Sequence, residues 1–380
     1  MRKVLNSTLL LVLLLCDYAG AQEFKGHVKL LNNLFVPYPD TLIWFTDQTL
    51  ENRLEFKWDA TDWLRFDVQA RNRFIYGDFV ESVPDYSSLI GNEQGLADLS
   101  FIWADGRSFV GHTEFDRLFA RFNLNSIELT IGRQRINWGI DLVWNPNDIF
   151  NTFSYLNLEY PERPGTDAVT LKAYTGQLSY IEAVYQPHKT ADSSAYGVRY
   201  RANVARTDFQ ALVARMAGHY VLGGGLSSER GQFAIRSEVS YFHAIRSSEK
   251  SGFVATLSAD RSLGSNSFMQ FGALYNSFGS KGSHEPISLI EPRAQSPMML
   301  SRGKVNLFIS INSTVATLFT PSLAILANPA DWSAAVIPSV GYSASNNLTL
   351  ALTGMLFTGN RTDEYPNIGQ LAYFKVQWNF

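Results

Sequence analysis

Charged side chains occupy most of the alternate positions in two neighbouring stretches of the sequence, residues 50–59 and 63–76. In the first stretch, Glu51 and Arg53 alternate with apolar residues such as Leu54. A period of two places the charged and the apolar side chains on opposite faces of a β-strand. A continuous charged face can line an aqueous passage and discriminate between solutes by their charge. The chemistry that these residues indicate is therefore electrostatic selection.

The same alternation recurs later in the chain and predicts a set of lumen-facing charged side chains. The set comprises Glu51, Arg53, Glu55, Lys57, Arg65, Asp67, Arg71, Arg73, Glu128, Arg133, Arg135, Lys172, Glu182, Arg199, Arg201, Arg236, Glu238 and Lys375. Both signs are present, so opposite charges on facing strands can also pair and neutralise one another. Selection of solutes by charge and internal pairing therefore both remain open. The arginines at positions 65, 71, 73, 199 and 201 slightly favour anions or sugars with acidic groups.

A long polar and aromatic segment, residues 138–166, separates two strand-like runs at 127–131 and 168–173. Hairpin loops usually have about two to five residues, so a connection of this length indicates a functional or disordered loop. Its aromatic residues argue against disorder. We predict an ordered loop that constricts the lumen, and a surface loop without a gating role is the alternative. The candidate constriction residues are Trp138, Asp141, Trp144, Asp148 and Arg163.

Arg133 and Arg135 stand at the end of the strand-like run that precedes this loop. Strict alternation from Ile127 and Ile131 would place both arginines on the apolar face, where a charge in contact with lipid is costly. A β-bulge adds one residue to a strand and re-aims the side chains that follow. We therefore predict a bulge at Gly132 that turns both arginines into the lumen.

Catalytic and metal-binding patterns are weak in this sequence. The six histidines fall at predicted loops or strand ends, and no Gly-x-Ser-x-Gly, His-Glu-x-x-His or phosphate-loop motif occurs. Acidic residues gather in the long loop without the regular spacing of a calcium-binding loop. These residues are Asp141, Asp148, Glu159, Glu162 and Asp167. We expect no catalytic residue, no resident metal and no cofactor.

Composition and charge limit the class of protein. The chain has 380 residues and a formal net charge of −3, so it lacks the basic excess of a nucleic-acid-binding protein. Residues 1–21 have the basic start, short apolar core and small-residue end of a secretory signal peptide. We predict that residues 22–380 form the mature domain. The single cysteine, Cys16, lies in the signal, and a lipoprotein signal ending there is a weaker alternative.

Seventeen alternating segments follow one another between residues 50 and 380, and an early segment at 25–36 would make eighteen. No apolar run beyond the signal is long enough for a membrane helix. Exported chains with such segments are typical of Gram-negative outer-membrane barrels, whose strand number is even. We predict an all-β fold, a transmembrane antiparallel up-and-down barrel of about 18 strands, with 16 as second choice. Long loops at 77–112, 138–166 and 278–299 would face outside or fold inward. The strand-like segment 98–103 disturbs the alternation of short and long connections, so we leave it in a loop.

The C-terminal residues 370–380 alternate as far as Phe380, with Phe374, Val376 and Trp378 on one face. A final strand ending on an aromatic residue resembles the signal that the barrel-assembly machinery recognises. The expected partners are this machinery, outer-membrane lipid, lipopolysaccharide and small solutes. The sequence leaves a monomer and a trimer open.

Three short motifs around the long loop resemble the alginate-export family of outer-membrane porins. They are Gly132-Arg133-Gln134, Trp138-Gly139 and Thr166-Asp167-Ala168-Val169. The region is also similar to uncharacterised porin-like proteins of the Bacteroidota. The resemblance implies an 18-stranded monomeric barrel with a charged lumen for an anionic polysaccharide or another solute. Because acids are nearly as frequent as arginines on the predicted lumen face, only the channel is carried over, not the substrate.

The function predicted from these observations is an outer-membrane channel. It would pass small hydrophilic or anionic solutes, saccharides among them, by diffusion through a charged lumen. Two alternatives remain open, a surface-interaction or structural barrel without an open pore, and a polysaccharide exporter.

Overall fold

The computed structural model describes residues 21–39, 42–91, 95–152, 155–156, 165–280 and 296–380. The first 20 residues of the predicted signal peptide and the constriction candidate Arg163 lie outside these ranges. Within the described ranges, no helix is long and apolar enough to cross a membrane.

The described chain consists almost entirely of antiparallel strands. In chain order they are β1 (Gln22–Pro37), β2 (Phe45–Thr61), β3 (Leu64–Gly77), β4 (Ser100–Asp105), β5 (Phe109–Leu124), β6 (Ile127–Gln134), β7 (Thr166–Tyr174), β8 (Tyr180–Gln186), β9 (Ala195–Val204), β10 (Thr207–Met216), β11 (His219–Arg230), β12 (Phe233–Ala244), β13 (Gly252–Leu263), β14 (Ser267–Asn276), β15 (Val305–Ser313), β16 (Phe319–Asn328), β17 (Ser333–Ser343), β18 (Leu348–Phe357) and β19 (Gly369–Asn379). The short helices are α1 (Asp78–Ser82), α2 (Tyr86–Ile90) and a 3-10 turn at Ala191–Ser193.

Eighteen of these strands close into one barrel, which confirms the predicted fold class and strand number. Each strand pairs with its sequence neighbours, and β1 closes the ring by pairing with β19, as in Leu30 opposite Val376. The strand β4 stands apart because it pairs only with residues 110–114 of β5. These residues lie at the end of the barrel that carries the long connections, which we call the long-loop end; the opposite end is the short-turn end. The segment 98–103 was therefore rightly kept out of the barrel, although most of it does form a strand.

Side chains alternate between the two faces of the barrel wall as the sequence pattern predicts. On β2, Leu50 is 50% exposed, whereas its neighbour Glu51 is 2% exposed. Exposed aromatic residues collect on the outer face at both ends of the strands. At the long-loop end these are Trp103, Tyr185, Tyr196, Tyr220, Tyr241 and Phe253, and at the short-turn end Phe24, Trp63, Tyr174, Phe233, Phe319 and Trp378. Two such girdles around an apolar band are typical of membrane-spanning barrels.

The bulge in this part of the wall lies on β5, and the predicted bulge at Gly132 is wrong. The ladders of β6 with β5 and with β7 run through Gly132 without a register shift. On β5, Phe115 faces Ala70 and Arg117 faces Gln69, so Asp116 is the extra residue. Gly132 has a φ of +121°, and a Cβ there would lie 2.2 Å from a backbone oxygen of β5. Glycine is therefore needed at this position because the backbones of β5 and β6 approach each other too closely for a side chain.

Candidate functional site

Residues 135–152, which we call the infolded loop, leave the barrel wall after β6 and pack inside the barrel. Trp138 and Asn147 are completely buried. The apolar residues of the loop form one core with inward-facing side chains of the wall, among them Leu212 on β10, Phe242 on β12 and Phe308 on β15. Burying an apolar side chain of this size stabilises by about 1.5–3 kcal/mol. This contact holds the loop within the long-loop half of the lumen.

Glu238 on β12 anchors the first turn of the infolded loop. Its carboxylate accepts hydrogen bonds from the backbone N–H groups of Ile140, Asp141 (2.8 Å) and Asn147 (3.1 Å). A buried carboxylate needs such donors, because a charge removed from water is costly unless it is hydrogen-bonded. The predicted lumen residue Glu238 therefore binds the loop instead of facing open solvent, and it is only 1% exposed.

Asn147 is a functional residue that the sequence did not single out. Its side chain donates to the backbone oxygen of Gly224 (2.8 Å) and accepts from the hydroxyl of Ser240 (2.7 Å). A Cβ on Gly223 would lie 2.6 Å from Asn147 Oδ1. A Cβ on Gly225 would lie 2.9 Å from the Ile140 side chain, so Gly223 and Gly225 together make room for the loop. Glycine inside a strand often marks the close approach of another backbone, so Gly223–Gly225 was a usable signal.

Trp138 provides a second anchor, on β8 and β9. Its indole N–H donates to Glu182 (2.8 Å), and the guanidinium of Arg199 donates to the same carboxylate oxygen (2.5 Å). The Arg199 guanidinium also lies over the Trp138 ring, 5.3 Å from its centroid. From β10, Gln210 donates to the backbone oxygen of Trp138 (2.8 Å). Arg199, predicted to line the lumen, is 4% exposed because the loop covers it.

The structure brings the predicted lumen residues Glu51, Arg53, Arg71 and Arg73 together with residues of β1 and β5 that the sequence did not single out, in a surface that we call the charged wall. Its members are Lys29, Glu51, Arg53, Arg71, Arg73, His112, Glu114, Asp116 and Arg117. Arg53 binds Asp116 through two hydrogen bonds of 2.7 and 3.2 Å. Glu51 receives Lys29 (2.7 Å) and Arg71 (2.5 Å), and Arg73 contacts His112 (3.2 Å). Most charges of this wall are therefore paired with one another, which is one of the two arrangements that the sequence left open.

Other predicted charges lie nearer the short-turn end, where they form pairs that are more exposed. Arg65 pairs with Asp59 (2.5 Å), Arg201 with Asp208 (2.9 Å) and Arg236 with Asp260. Lys172 lies 3.8 Å from Glu128 and 3.9 Å from Glu182. Asp67 accepts from Gln69 (2.9 Å), and Lys375 is half-buried on β19. These side chains are separate from the two loop anchors, apart from the shared Glu182.

The strands β4 and β6 pair with successive parts of the same edge of β5, which leaves a seam in the wall where they meet. Arg133 lies at this seam and bridges it. Its guanidinium binds Asp167 (2.8 and 2.9 Å) and donates to the backbone oxygens of Ala97 (2.8 Å) and Phe115 (3.3 Å). Its backbone stays opposite the outward-facing Leu118, so the predicted inward turn does not occur. Arg135 is exposed beyond the end of β6.

The acidic residues of the long loop do not converge. Asp148 accepts from the backbone N–H of Trp138 (3.2 Å), Asp141 faces β13, and Asp167 binds Arg133. Glu159 and Glu162 lie outside the described residues. Across the described ranges, no group of three or more His, Cys, Asp or Glu side chains could hold a metal ion.

In one sector of the barrel the strands carry no charged residue. The strands β14 to β18, all of them fully described, contain no Asp, Glu, Lys or Arg. Toward the short-turn end their inward faces present small and hydroxyl-bearing residues, as in the Ser339–Thr353 hydrogen bond (2.8 Å) and the Ser310–Gln270 hydrogen bond (3.0 Å), whereas Phe308 and Leu326 pack against the infolded loop. The strands of the wall are thus electrically two-sided, with charged residues on β1 to β13 and β19, and in the uncharged sector the connections alone carry charge, as in the Arg302–Glu364 pair.

We expect Glu238→Ala to destabilise the protein by about 3 kcal/mol or more, because three backbone N–H groups of the infolded loop lose their acceptor. Urea unfolding of the refolded barrel, together with limited proteolysis of the loop, measures the effect. Glu229→Ala is the matched control, since Glu229 is exposed at the end of the adjacent strand β11. Equal stability of the two variants would show that Glu238 does not hold the loop.

Comparison with known proteins identifies the fold. No family model matches the chain, and no curated protein matches it. OccAB3 of Acinetobacter baumannii aligns with a TM-score of 0.60 at 12% identity, covering 94% of this chain and 99% of that chain. For OprD of Pseudomonas aeruginosa the TM-score is 0.56 at 10% identity, covering 94% and 95%. For the outer membrane protein OpdK of the same organism it is 0.54 at 10% identity, covering 94% and 98%.

These likenesses establish a closed 18-strand antiparallel barrel of the porin type. Because no family model matches, the resemblance to alginate-export porins and to Bacteroidota proteins gains no support.

Proposed function

We propose that the protein is an outer-membrane channel through which small hydrophilic solutes diffuse, with a preference for anions. The observation that carries the proposal is the two-sided barrel interior, in which the charged wall, with Arg73 and Glu114 still partly exposed, stands on one side and strands without charged residues stand on the other. A solute bearing a charge can approach the charged wall while its neutral part meets hydroxyl groups of β14 to β18. Such a passage selects by electrostatics without a chemical step, so we propose no enzymatic activity.

The charge balance of the charged wall favours anions. Its cations are Lys29, Arg53, Arg71, Arg73 and Arg117, and its carboxylates are Glu51, Glu114 and Asp116. Fixed cations in a water-poor lining lower the energy of an anion that passes. Among the similar structures, OpdK has been solved with vanillate, which makes small organic anions a sensible first class to test.

The infolded loop limits the size of the solute that can pass. Residues 135–152 fill much of the long-loop half of the lumen, which argues against the passage of a polysaccharide chain. The two aromatic girdles support insertion in a bilayer, with outer-membrane lipid and lipopolysaccharide as surroundings. The strand that ends near Phe380 pairs with β1, and we propose it as the segment for the barrel-assembly machinery.

Single-channel recording of the refolded protein in planar bilayers tests the function. We expect discrete ohmic steps and a reversal potential that favours anions in a KCl gradient. Replacing Arg71 and Arg73 by Gln should lower the anion-to-cation permeability ratio several-fold, since both belong to the charged wall. Arg246→Gln is the control, because Arg246 lies in an exposed loop. A correctly folded barrel without conductance would contradict the proposal and favour a surface-interaction or structural role.

A further inference from the structure

Amide side chains gather on the outward face of β1, β2 and β3, in a surface that we call the amide patch. Its members are Asn32, Gln48, Asn52 and Asn72, which share this face with exposed apolar residues such as Leu50. The outward faces of β6 to β18, all of them described, carry no Asn or Gln. The polar character of the patch is therefore a local feature of one side of the barrel.

The amide patch lies between the two aromatic girdles of the outer face. Along β3, Asn72 stands between Trp63 at the short-turn end and Phe74, on which Trp103 at the long-loop end stacks with ring centroids 6.1 Å apart. Asn52 lies directly opposite Asn72 on the neighbouring strand. Both amides therefore face the hydrocarbon part of the bilayer, where a polar group without a hydrogen-bond partner is costly.

Hydrogen bonds among neighbouring residues satisfy the amides only in part. The hydroxyl of Thr113 on β5 donates to Asn72 Oδ1 (2.7 Å), and the Asn72 amide donates to Asn52 Oδ1 (3.5 Å). The Asn52 amide donates to the backbone oxygen of His27 (3.4 Å). An asparagine amide has two N–H groups, so each of these two keeps one N–H without an acceptor in the described part of the chain. The other two amides of the patch form no hydrogen bond within the described ranges.

We propose that the amide patch is an interface at which a second copy of this chain docks, so that two barrels lie side by side in the membrane. An amide is both a donor and an acceptor, so the patch is complementary to itself, as a two-fold interface between identical chains requires. Lipid acyl chains offer neither a donor nor an acceptor. A second copy supplies both, and polar side chains contribute to association across membrane-embedded surfaces for this reason.

Apolar side chains around the amides complete this surface. Leu30 is 39% exposed, Leu50 50% and Phe374 43%, and all three point to the same outward face. They provide the close packing that, together with hydrogen bonds, drives association within a membrane. The interface leaves the lumen untouched, so the proposal does not depend on which solute passes.

Site-specific cross-linking of the refolded mature chain in liposomes tests the interface. Residues 22–380 contain no cysteine, so Gln48→Cys introduces a single thiol within the patch. With copper phenanthroline as oxidant and a high lipid-to-protein ratio, we expect most of the chain to form a disulfide-linked dimer. Leu222→Cys is the matched control, because Leu222 on β11 also faces outward and is 62% exposed. This control should give several-fold less dimer.

A second measurement uses the double variant Asn52→Leu with Asn72→Leu, which removes hydrogen-bonding groups from the patch and leaves the lumen face unchanged. Sedimentation equilibrium in detergent should show a dimer for the wild type and a dissociation constant several-fold higher for the variant. Ser237→Ala is the control, because Ser237 is a polar residue on the outward face of β12, where it lies opposite Leu226 and Leu257. It should dissociate like the wild type.

The proposal is overturned if the wild type is monomeric both in detergent and in liposomes, which would leave lipopolysaccharide or another lipid as the neighbour of the patch. It is also overturned if the double variant dimerises like the wild type, or if Gln48→Cys cross-links no better than Leu222→Cys. These outcomes are separate from the test of the channel, because single-channel recording measures conductance independently of the dimer.

Discussion

Deleting residues 144–160 is expected to raise single-channel conductance several-fold. The described part of this segment includes Trp144 and Phe150, which pack against the inner wall within the long-loop half of the lumen. Removing them widens the narrow part of the lumen, and the conductance of an aqueous pore grows with its cross-section. The barrel should still close, because Gln134 at the end of β6 directly faces Thr166 at the start of β7.

The measurement is conductance in planar bilayers, on protein whose heat-modifiable mobility shows a folded barrel. Deletion of residues 189–193 is the matched control, since these residues form an exposed loop between β8 and β9. This control should conduct like the wild type. If a folded 144–160 deletion also conducted like the wild type, the infolded loop would not form the constriction.

Replacing Asp116 by Ala should destabilise the barrel by about 3–5 kcal/mol, because it leaves Arg53 as a buried charge without its main partner. Asp116 is 0% and Arg53 1% exposed, and the two are joined by two hydrogen bonds. The remaining contacts of Arg53 with Glu55 (2.9 Å) and Gln69 (2.6 Å) satisfy it only in part. Urea unfolding of the refolded barrel gives the free energy.

Two further variants separate the buried charge from a general loss of packing. Asp192→Ala breaks an exposed ion pair with Arg246 and should change stability by less than about 1 kcal/mol. The double variant Arg53→Met with Asp116→Leu removes both charges, so it should recover much of the lost stability. An Asp116→Ala protein as stable as Asp192→Ala would show that the Arg53–Asp116 pair contributes little.

Most of the architecture could be predicted from local patterns. The alternation of apolar and charged residues depends only on the period of a strand, so it identified seventeen barrel strands, offered the first strand as the eighteenth, and indicated which side chains share a face. The segment containing Trp103 was recognised as strand-like for the same reason. The bulge was misplaced because it depends on pairing, and only the register of β5 against β3 shows that Asp116 is the extra residue.

The candidate site was predictable only as a list of side chains. Alternation named Glu182, Arg199 and Glu238, but their partners come from a loop distant in sequence. Trp138 meets Glu182 across 44 residues, and Asn147 meets Glu238 across 91. Such contacts depend on which strands become neighbours in the closed ring and on the shape of the space between them.

The sequence by itself determined the strand period, the number of strands, the two-faced wall and the uncharged run from β14 to β18, because each follows from residues near one another in the chain. The tertiary structure alone decided that residues 135–152 fold inward. It also decided that Arg133 joins Asp167 to the backbone of Ala97 where β4 and β6 meet. The physical reason is that burial and charge compensation are properties of the closed barrel, and no single strand contains them.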